Sequence, residues 1–381
     1  MNAAFRVDRV SSGEDWAAFG AFPFSVYEGD ARWSPVQPEM TIQRLMQGSD
    51  RESSASWIAR DGSRVVGRVS AMTDSIYSAK RGESTGFVGF FESLDHPDAA
   101  ALLLARVDDW FREHEVVTAF GPSSLGLFEA TGMLIEGFEL PAVVGCAYNP
   151  PRYSECFESA GWLRDRALLG YSVPITGANE ISERERSIGK RLLERLDLSL
   201  RLFTSNDTPD RLIDWFGAGD KNPWRHLELH WPLTRDEVNT FAKLAQTPGT
   251  GIHIGEIMLG NDVAVGVFVC QDDTNELMRE LYAGVQHPTM TIVERLSNVR
   301  TVRSGAYGFL PEFQGVGLTA AIPLLLENLR SDYPKIEVLD LSWIDERNTP
   351  MVATAERFAG PPTRRWQLWS KRYEPNERSV L

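Results

Sequence analysis

The chain repeats itself. Around Gly67 it reads "WIARDGSRVVGRVSAM", and around Gly266 "IHIGEIMLGNDVAVGVFV": two apolar runs joined by a tight turn, with a Val-Gly pair in the second run. That is a hairpin pattern written twice. Gly67 and Gly266 are 199 positions apart, and the same spacing carries Asn149 onto Asn348, Pro151 onto Pro350 and Ala160-Gly161 onto Ala359-Gly360. A duplicated unit must bury its own apolar faces twice over, so the 381 residues are expected to form two similar domains. The boundaries read as 1–178 for the first, 197–381 for the second, and 179–196 for a connecting helix. In that connector Ile188, Leu192, Leu193 and Leu196 interleave with charges.

Between these anchors the spacing changes. "GFFESLDHPDAAALL" from Gly89 lies on "GFLPEFQGVGLTAAI" from Gly308 without gaps, 219 positions apart. The second copy therefore carries an insertion before this point, over 272–300, whose Leu, Met and Glu content reads as helical. The first copy has its excess afterwards, over 123–147, where Gly126, Gly132, Gly137 and Pro141 read as loop or short strands. The first copy then reads as a strand (4–10), helices (12–27, 35–47), a hairpin (56–60, 64–72), a strand (86–92), a helix (97–114), a strand (116–121), a helix (150–160) and a strand (163–173). The second repeats this order, with a helix expected over 317–331 and final strands over 363–373. Strands and helices mixed in this way are an α/β fold with a mixed sheet.

Composition narrows the partners. A formal charge of −14 opposes nucleic acid or an anionic bilayer as a main partner. Cys146, Cys156 and Cys270 are odd in number and lack CxxC spacing, so neither a disulfide framework nor a zinc site is expected. The N-terminus has no basic segment followed by an apolar one, and no long uncharged apolar run follows, so a cytoplasmic location without membrane spans is expected. His226 and His230 lie four apart but beside Pro223 and Pro232, where a regular helix is doubtful, and no metal site is expected. Trp224 and Trp231 in "NPWRHLELHWPLT" read as core or as an aromatic pocket wall.

The stretch "PEFQGVGLTAAI", Pro311 to Ile322, stands between an apolar strand and a helix-forming run. Glycines there let backbone amides converge without Cβ atoms in the way, and a helix N-terminus adds its positive dipole end. That suits a pyrophosphate. The Lys-Ser/Thr ending of a Walker loop is missing, as is the third glycine of a dinucleotide fingerprint.

The order of strand, Q-x-x-G-x-x loop (Gln314 to Thr319), helix, strand "IEVLDLSWI" and Asn348 helix resembles the GCN5-related N-acetyltransferase (GNAT) superfamily. Two copies look like a tandem member, similar to bacterial tandem proteins with "YNPPYY"-like and "LSW"-like segments, here Tyr148 to Tyr153 and Leu341 to Trp343. The resemblance implies, in each half, a mostly antiparallel sheet with two splayed strands flanked by helices. It implies acetyl-CoA or another acyl-CoA as cofactor, lying between splayed strands 301–309 and 336–343. Phe309 and Leu310 would hold pantetheine through backbone, Gln314, Gly315, Val316, Gly317, Leu318 and Thr319 the pyrophosphate, and Asn348 the pantetheine or thiol region. Thr319 departs from the family's Gly/Ala. The family's usual thiolate acid, a Tyr about seven residues after that Asn, is Ala355 here.

Candidates for proton transfer are then Tyr307 in place of that acid, and Asp340 and Ser342, which alternate onto one face of a splayed strand, with Glu280 from the inserted helix. The expected function is acyl-CoA-dependent N-acyl transfer to a small-molecule amine in the C-terminal half. The alternatives are a non-catalytic acyl-CoA sensor or interaction protein and, lacking a basic RNA track, aminoacyl transfer from tRNA. The oligomeric state, monomer or homodimer, is open. In the first copy Asp95, Pro97 and Asp98 stand where the second has its glycine loop, so one CoA per chain is expected.

Overall fold

The computed structural model describes residues 5–36, 38–47, 52–124, 130–175, 183–204, 207–247, 250–260, 263–284, 295, 298–321, 324 and 335–374. They fall into two compact units, Met1–Leu168 with Arg364–Leu381, and Leu169–Thr363. The chain builds β1 (Arg6–Arg9), α1 (Gly13–Val26), α2 (Pro38–Gln47), β2 (Glu52–Asp61), β3 (Arg64–Asp74), α3 (Ser75–Arg81), β4 (Thr85–Ser93), α4 (Pro97–Glu113), β5 (Thr118–Gly121), β6 (Met133–Glu136), α5 (Tyr153–Ser159) and β7 (Leu163–Pro174). There follow α6 (Glu183–Arg195), β8 (Leu198–Leu202), α7 (Asp210–Phe216), α8 (Arg235–Gln246), β9 (Ile252–Leu259), β10 (Val263–Asp272), α9 (Thr274–Tyr282), β11 (Thr301–Phe309), β12 (Val338–Asp345), α10 (Thr349–Ala359) and β13 (Arg364–Arg372). Mixed α/β architecture with helices flanking a mixed sheet is thus the fold.

Local chemistry sets the helix starts. Ser12 accepts the Asp15 amide while the Asp15 carboxylate takes the Ser12 amide, and Thr234 and Glu237 repeat this box at the start of α8. In α4, Leu103, Leu104, Val107, Trp110 and Phe111 recur at helical spacing, and all are buried with Val66, Val69 and Ala71 of β3. Burial of each such aliphatic or aromatic side chain contributes roughly 1.5–3 kcal/mol, so this helix face is the main apolar stripe of the first unit.

In the first unit the strand order is β1-β2-β3-β4-β5-β13, with β6 also on β13. Neighbours run antiparallel except β4 and β5, which pair in parallel only at Thr85↔Thr118, Gly86↔Ala119 and Phe87↔Phe120. In the second unit β8, β9, β10, β11 and β12 follow one another, and the parallel pair β11–β12 is likewise short: Thr301↔Val338, Val302↔Leu339 and Arg303↔Asp340. Both copies thus join their parallel strands for three rungs and then let them part.

The register corrects the gapless overlay of the two copies. Gly67 pairs with Ser93 and Gly266 with Phe309, so Phe309 matches Ser93 rather than Phe90. A strand's rung is set by cross-strand pairing, which letter similarity along one strand does not report. At the entry to α4, His96 is the N-cap and makes no side-chain cap bond, and Asp98 lies in the first turn.

The copies have exchanged their final strands. β7 starts in the first unit and ends beside β12 in the second, whereas β13, the last strand of the second copy, lies on β5 in the first unit. A boundary drawn along the chain assigns Arg364–Leu381 to the second half; the packing assigns it to the first. Trp366 and Trp369 explain why: both are almost fully buried, Trp366 Nε1 donates to the Ala147 carbonyl (2.8 Å), and Lys371 and Tyr373 both bond Asp108 (2.7 Å).

Cys270 is buried on β10, and burial pushes its thiol up to about 12. Because the thiolate is the reactive form, Cys270 is expected to stay unalkylated in the native chain at pH 8 and to react once unfolded. Mass spectrometry after native and denatured iodoacetamide treatment checks this; native labelling of Cys270 would contradict the burial.

Candidate active site

The second unit places its glycine loop at the open end of β11. After Phe309 the chain makes a short 3-10 turn (Pro311–Phe313), passes Gln314 to Gly317 and enters another 3-10 turn at Leu318–Ala321. Gly315 (φ +74°) and Gly317 (φ +87°) adopt left-handed backbone, and a Cβ on either would meet nothing within 4 Å. Glycine is needed here for conformation, and the loop's exposed side is free to meet a ligand. Beyond Ala321 most of the expected helix (317–331) lies outside the described residues, as does the Thr319 side chain.

Two side chains tie this loop down. Gln314 Nε2 donates to the Phe309 carbonyl (3.0 Å), and the Tyr307 hydroxyl donates to the Leu318 carbonyl (3.1 Å). Burial holds the Tyr307 phenol well above its ordinary range, so it serves as a donor that positions the loop. α6 supports the loop from behind: a Cβ on Gly189 would come within 2.5 Å of the Ala320 carbonyl, and Leu193 packs with Phe309, Leu318 and Leu324.

The other face of β11 and β12 is polar where the strands part. Register partners Arg303 and Asp340 sit on the last paired rung, and both are buried, as is Ser342 two residues on. Arg303 Nε donates to the Ser342 carbonyl (2.8 Å), a side chain standing in for the next backbone rung. Arg303 Nη1 and Ser342 Oγ have no hydrogen-bond partner among the described residues. A bulge follows, because Val269 pairs with Ala306 and Cys270 with Ser304, leaving Gly305 without a partner on β10. The bulge turns Tyr307 to the side of Val302, in the same apolar cluster.

The segment between α7 and α8 packs over this polar face. A Cβ on Gly308 would lie 2.6 Å from Pro223 and 2.7 Å from Trp224, so the glycine is what lets these two side chains pack against β11. Asn222 bonds the Gly217 carbonyl and His230 Nε2, and Trp224 stacks on Phe216. Farther along, Glu228 meets Arg347 (3.3 Å), next to Asn348. Asn348 is the N-cap of α10 without a side-chain cap bond, so its amide is not spent on the helix. Ala355 is buried in α10. The predicted candidates therefore divide. Asp340 and Ser342 meet Arg303 at the fork, Tyr307 and Gln314 brace the loop, and Glu280 is exposed on α9, 3.7 Å from Arg295. Arg303 had one sequence signal, a charge inside an otherwise small and apolar strand.

These residues fit a thioester-linked CoA. Past the Arg303↔Asp340 rung the described residues of β11 and β12 no longer pair with each other, and the loop offers amides of glycines without side chains. The first unit does not repeat this: Ser123 donates to the Val88 carbonyl (2.8 Å), and a Cβ on Gly89 would be 2.4 Å from the Ser123 carbonyl, so chain fills the corresponding fork. Among the described residues no set of three His, Cys, Asp or Glu could hold a metal, and no helix is long and apolar enough to cross a membrane.

No protein-family model matches the chain. It is 27% identical to protein YghO of Escherichia coli strain K12 over 371 residues, spanning 94% of this chain and 93% of that protein. It is 25% identical to the bacterial ceramide synthase of Caulobacter vibrioides over 390 residues, spanning 97% and 98%. Among solved structures, a tandem GNAT protein from the clavulanic acid biosynthesis pathway, without AcCoA, superposes with a TM-score of 0.61 at 14% identity, covering 98% of this chain and 100% of that one. The GCN5-related glucosamine N-acetyltransferase region of a fungal multi-domain GH3 beta-N-acetylglucosaminidase gives 0.60 at 13% identity, covering 97% of this chain and 38% of that one.

Proposed function

We propose, on the premise that the chain has the tandem GNAT fold, that it is an acyl-CoA-dependent N-acyltransferase working on a small-molecule amine from its second unit. The observation that carries this reading is the fork between β11 and β12 with the glycine loop at its end. The Phe309 amide, the amides of Gly315 to Thr319 and the Asn348 side chain would hold the cofactor, which when bound supplies an activated acyl group as a thioester. Leu310 does not share this role, because its amide donates to the Val265 carbonyl and its carbonyl accepts from the Phe313 amide. Gln314 and Tyr307 keep the loop in shape. Arg303 holds the two strands at the fork and offers a buried cationic donor there, the kind of fixed dipole that favours developing negative charge. Asp340, on the same rung, would receive the proton an amine must lose, with Ser342 two residues on. The reading includes a cytoplasmic location and no nucleic-acid or membrane partner, supported by the acidic balance.

A ceramide is an amide of a long-chain amino alcohol, and the similarity to the bacterial ceramide synthase spans nearly the whole chain. A long-chain amino alcohol is therefore the first acceptor to try. Acyl transfer from labelled acyl-CoA, across an amine panel, tests the activity; no transfer to any amine, with CoA still bound, would favour the second reading. That reading, acyl-CoA binding without turnover, is supported by buried Ala355 in the position of the family's acid. In an active enzyme Asp340→Asn is expected to lower kcat by about 10²-fold or more while the Michaelis constant for acyl-CoA changes less, as for loss of a proton acceptor. Wild-type rates across pH in that variant would make Asp340 structural.

A further inference from the structure

The first unit holds an ionisable cluster that has no counterpart on the matching rung of the second. Arg68 on β3 and Glu92 on β4 are register partners, one rung from Gly67↔Ser93. The matching rung of the second unit, one from Gly266↔Phe309, is Val267↔Gly308. The same sheet is thus built in one copy with a valine and a glycine and in the other with a buried arginine and a glutamate. Burying ions is costly, and apolar replacements usually do as well or better for stability. The repeat shows that this rung of the sheet can be built without the charged pair.

The cluster is arranged around the Glu92 carboxylate. The hydroxyls of Tyr27 (2.9 Å) and Tyr153 (2.7 Å) both donate to Oε2, and the Ser93 amide donates to the Tyr153 oxygen (2.7 Å). Tyr27 stacks on Trp33, and Arg152 Nη2 donates to the Ser93 carbonyl. Tyr27, Tyr153 and Arg68 are buried, whereas Glu92 keeps part of its surface open. The strand is distorted immediately before it: Phe90 has φ +54°, within a bulge opposite Val69. A non-glycine residue held in that region marks strain, which concentrates at functional sites. Arg68 lies over the Phe19 ring (4.8 Å) and donates from Nη1 to the Phe19 carbonyl (2.7 Å). Its Nε has no hydrogen-bond partner among the described residues. Burial lifts the Glu92 carboxyl above its usual range against the pull of Arg68 and the tyrosines, a shift that a bound cation would reverse.

We propose that the Arg68–Glu92 rung, with Tyr27 and Tyr153, is a binding site for a small molecule carrying an amine beside an oxygen acceptor. The ammonium pairs with the open side of Glu92, and the neighbouring oxygen takes the donor that Arg68 Nε has to spare. An amino alcohol and an amino acid share this chemistry. The site needs neither CoA nor turnover, so it stands or falls independently of acyl transfer.

Calorimetry with the full chain, without CoA, tests it using 2-amino-1-octanol, 2-aminooctanoic acid, octylamine and 1-octanol. Saturable binding of the amino alcohol or the amino acid, with octylamine and 1-octanol each weaker by about fivefold or more, is the expected result; which of the two binds tells hydroxyl from carboxylate. Glu92→Gln keeps an oxygen for both tyrosines and should weaken binding about tenfold or more, and Arg68→Met should erase the preference over octylamine. Absence of binding by both difunctional probes, octylamine binding as well as they do, or a folded Glu92→Gln chain binding as wild type would each reduce the cluster to a structural lock. Should either variant fail to fold, the wild-type panel decides alone.

Discussion

Gly317→Glu is expected to weaken CoA binding by about tenfold or more, equivalent to about 1.4 kcal/mol, because it would set a carboxylate at the proposed diphosphate seat. Two costs are combined in that variant. Gly317 has φ +87°, so any side chain strains the backbone by about 1–3 kcal/mol, and the new charge repels the phosphates besides. Gly317→Ala separates them, since it shares the strain without the charge. Only the excess loss in the Glu variant should shrink as salt is raised, because only that part is screened. A calorimetric titration in which Gly317→Glu binds CoA as wild type does would remove the loop from the site. The same titration of the wild type should give one CoA per chain, in keeping with the fork of the first unit being filled near Ser123.

Truncation after Thr363 is expected to cost the first unit its cooperative fold, although it removes only the C-terminal end of the chain. β13 supplies Trp366, Leu368, Trp369 and Tyr373 to the interior and pairs with β5 from Trp369↔Gly121 to Arg372↔Thr118. Losing one large buried aromatic costs about 3–5 kcal/mol, and a domain has only about 5–15 kcal/mol to lose. Asp108 would also be left buried without Lys371 and Tyr373. Thermal unfolding followed by near-ultraviolet circular dichroism reads the outcome. Full retention of the wild-type transition would show that the strand is dispensable.

Much of the molecule was legible in the sequence, and the legible part is local. Hairpins at Gly67 and Gly266, the α4 stripe from Leu103 to Phe111, and the loop at Gln314 to Gly317 are written in turn residues and in periods of 2 and 3.6, which neighbours along the chain determine. What tertiary structure decided is which edge each strand joins and on which rung. Trp366 and Trp369 are large apolar side chains, but nothing beside them in the sequence says that the core they enter is that of the other copy. Gln314 was expected at the pyrophosphate; in the fold its Nε2 donates to the Phe309 carbonyl five residues back, an acceptor that exists only once the loop has turned. Arg68, Glu92, Tyr27 and Tyr153 are far apart in the sequence, and each alone is an ordinary surface residue type. Register brings the first two onto one rung, the turn after α1 brings Tyr27, and the start of α5 brings Tyr153. Patterns along the chain specify which faces are apolar. Pairing between distant strands depends on the packing of all of them together, so it exists only in the folded chain.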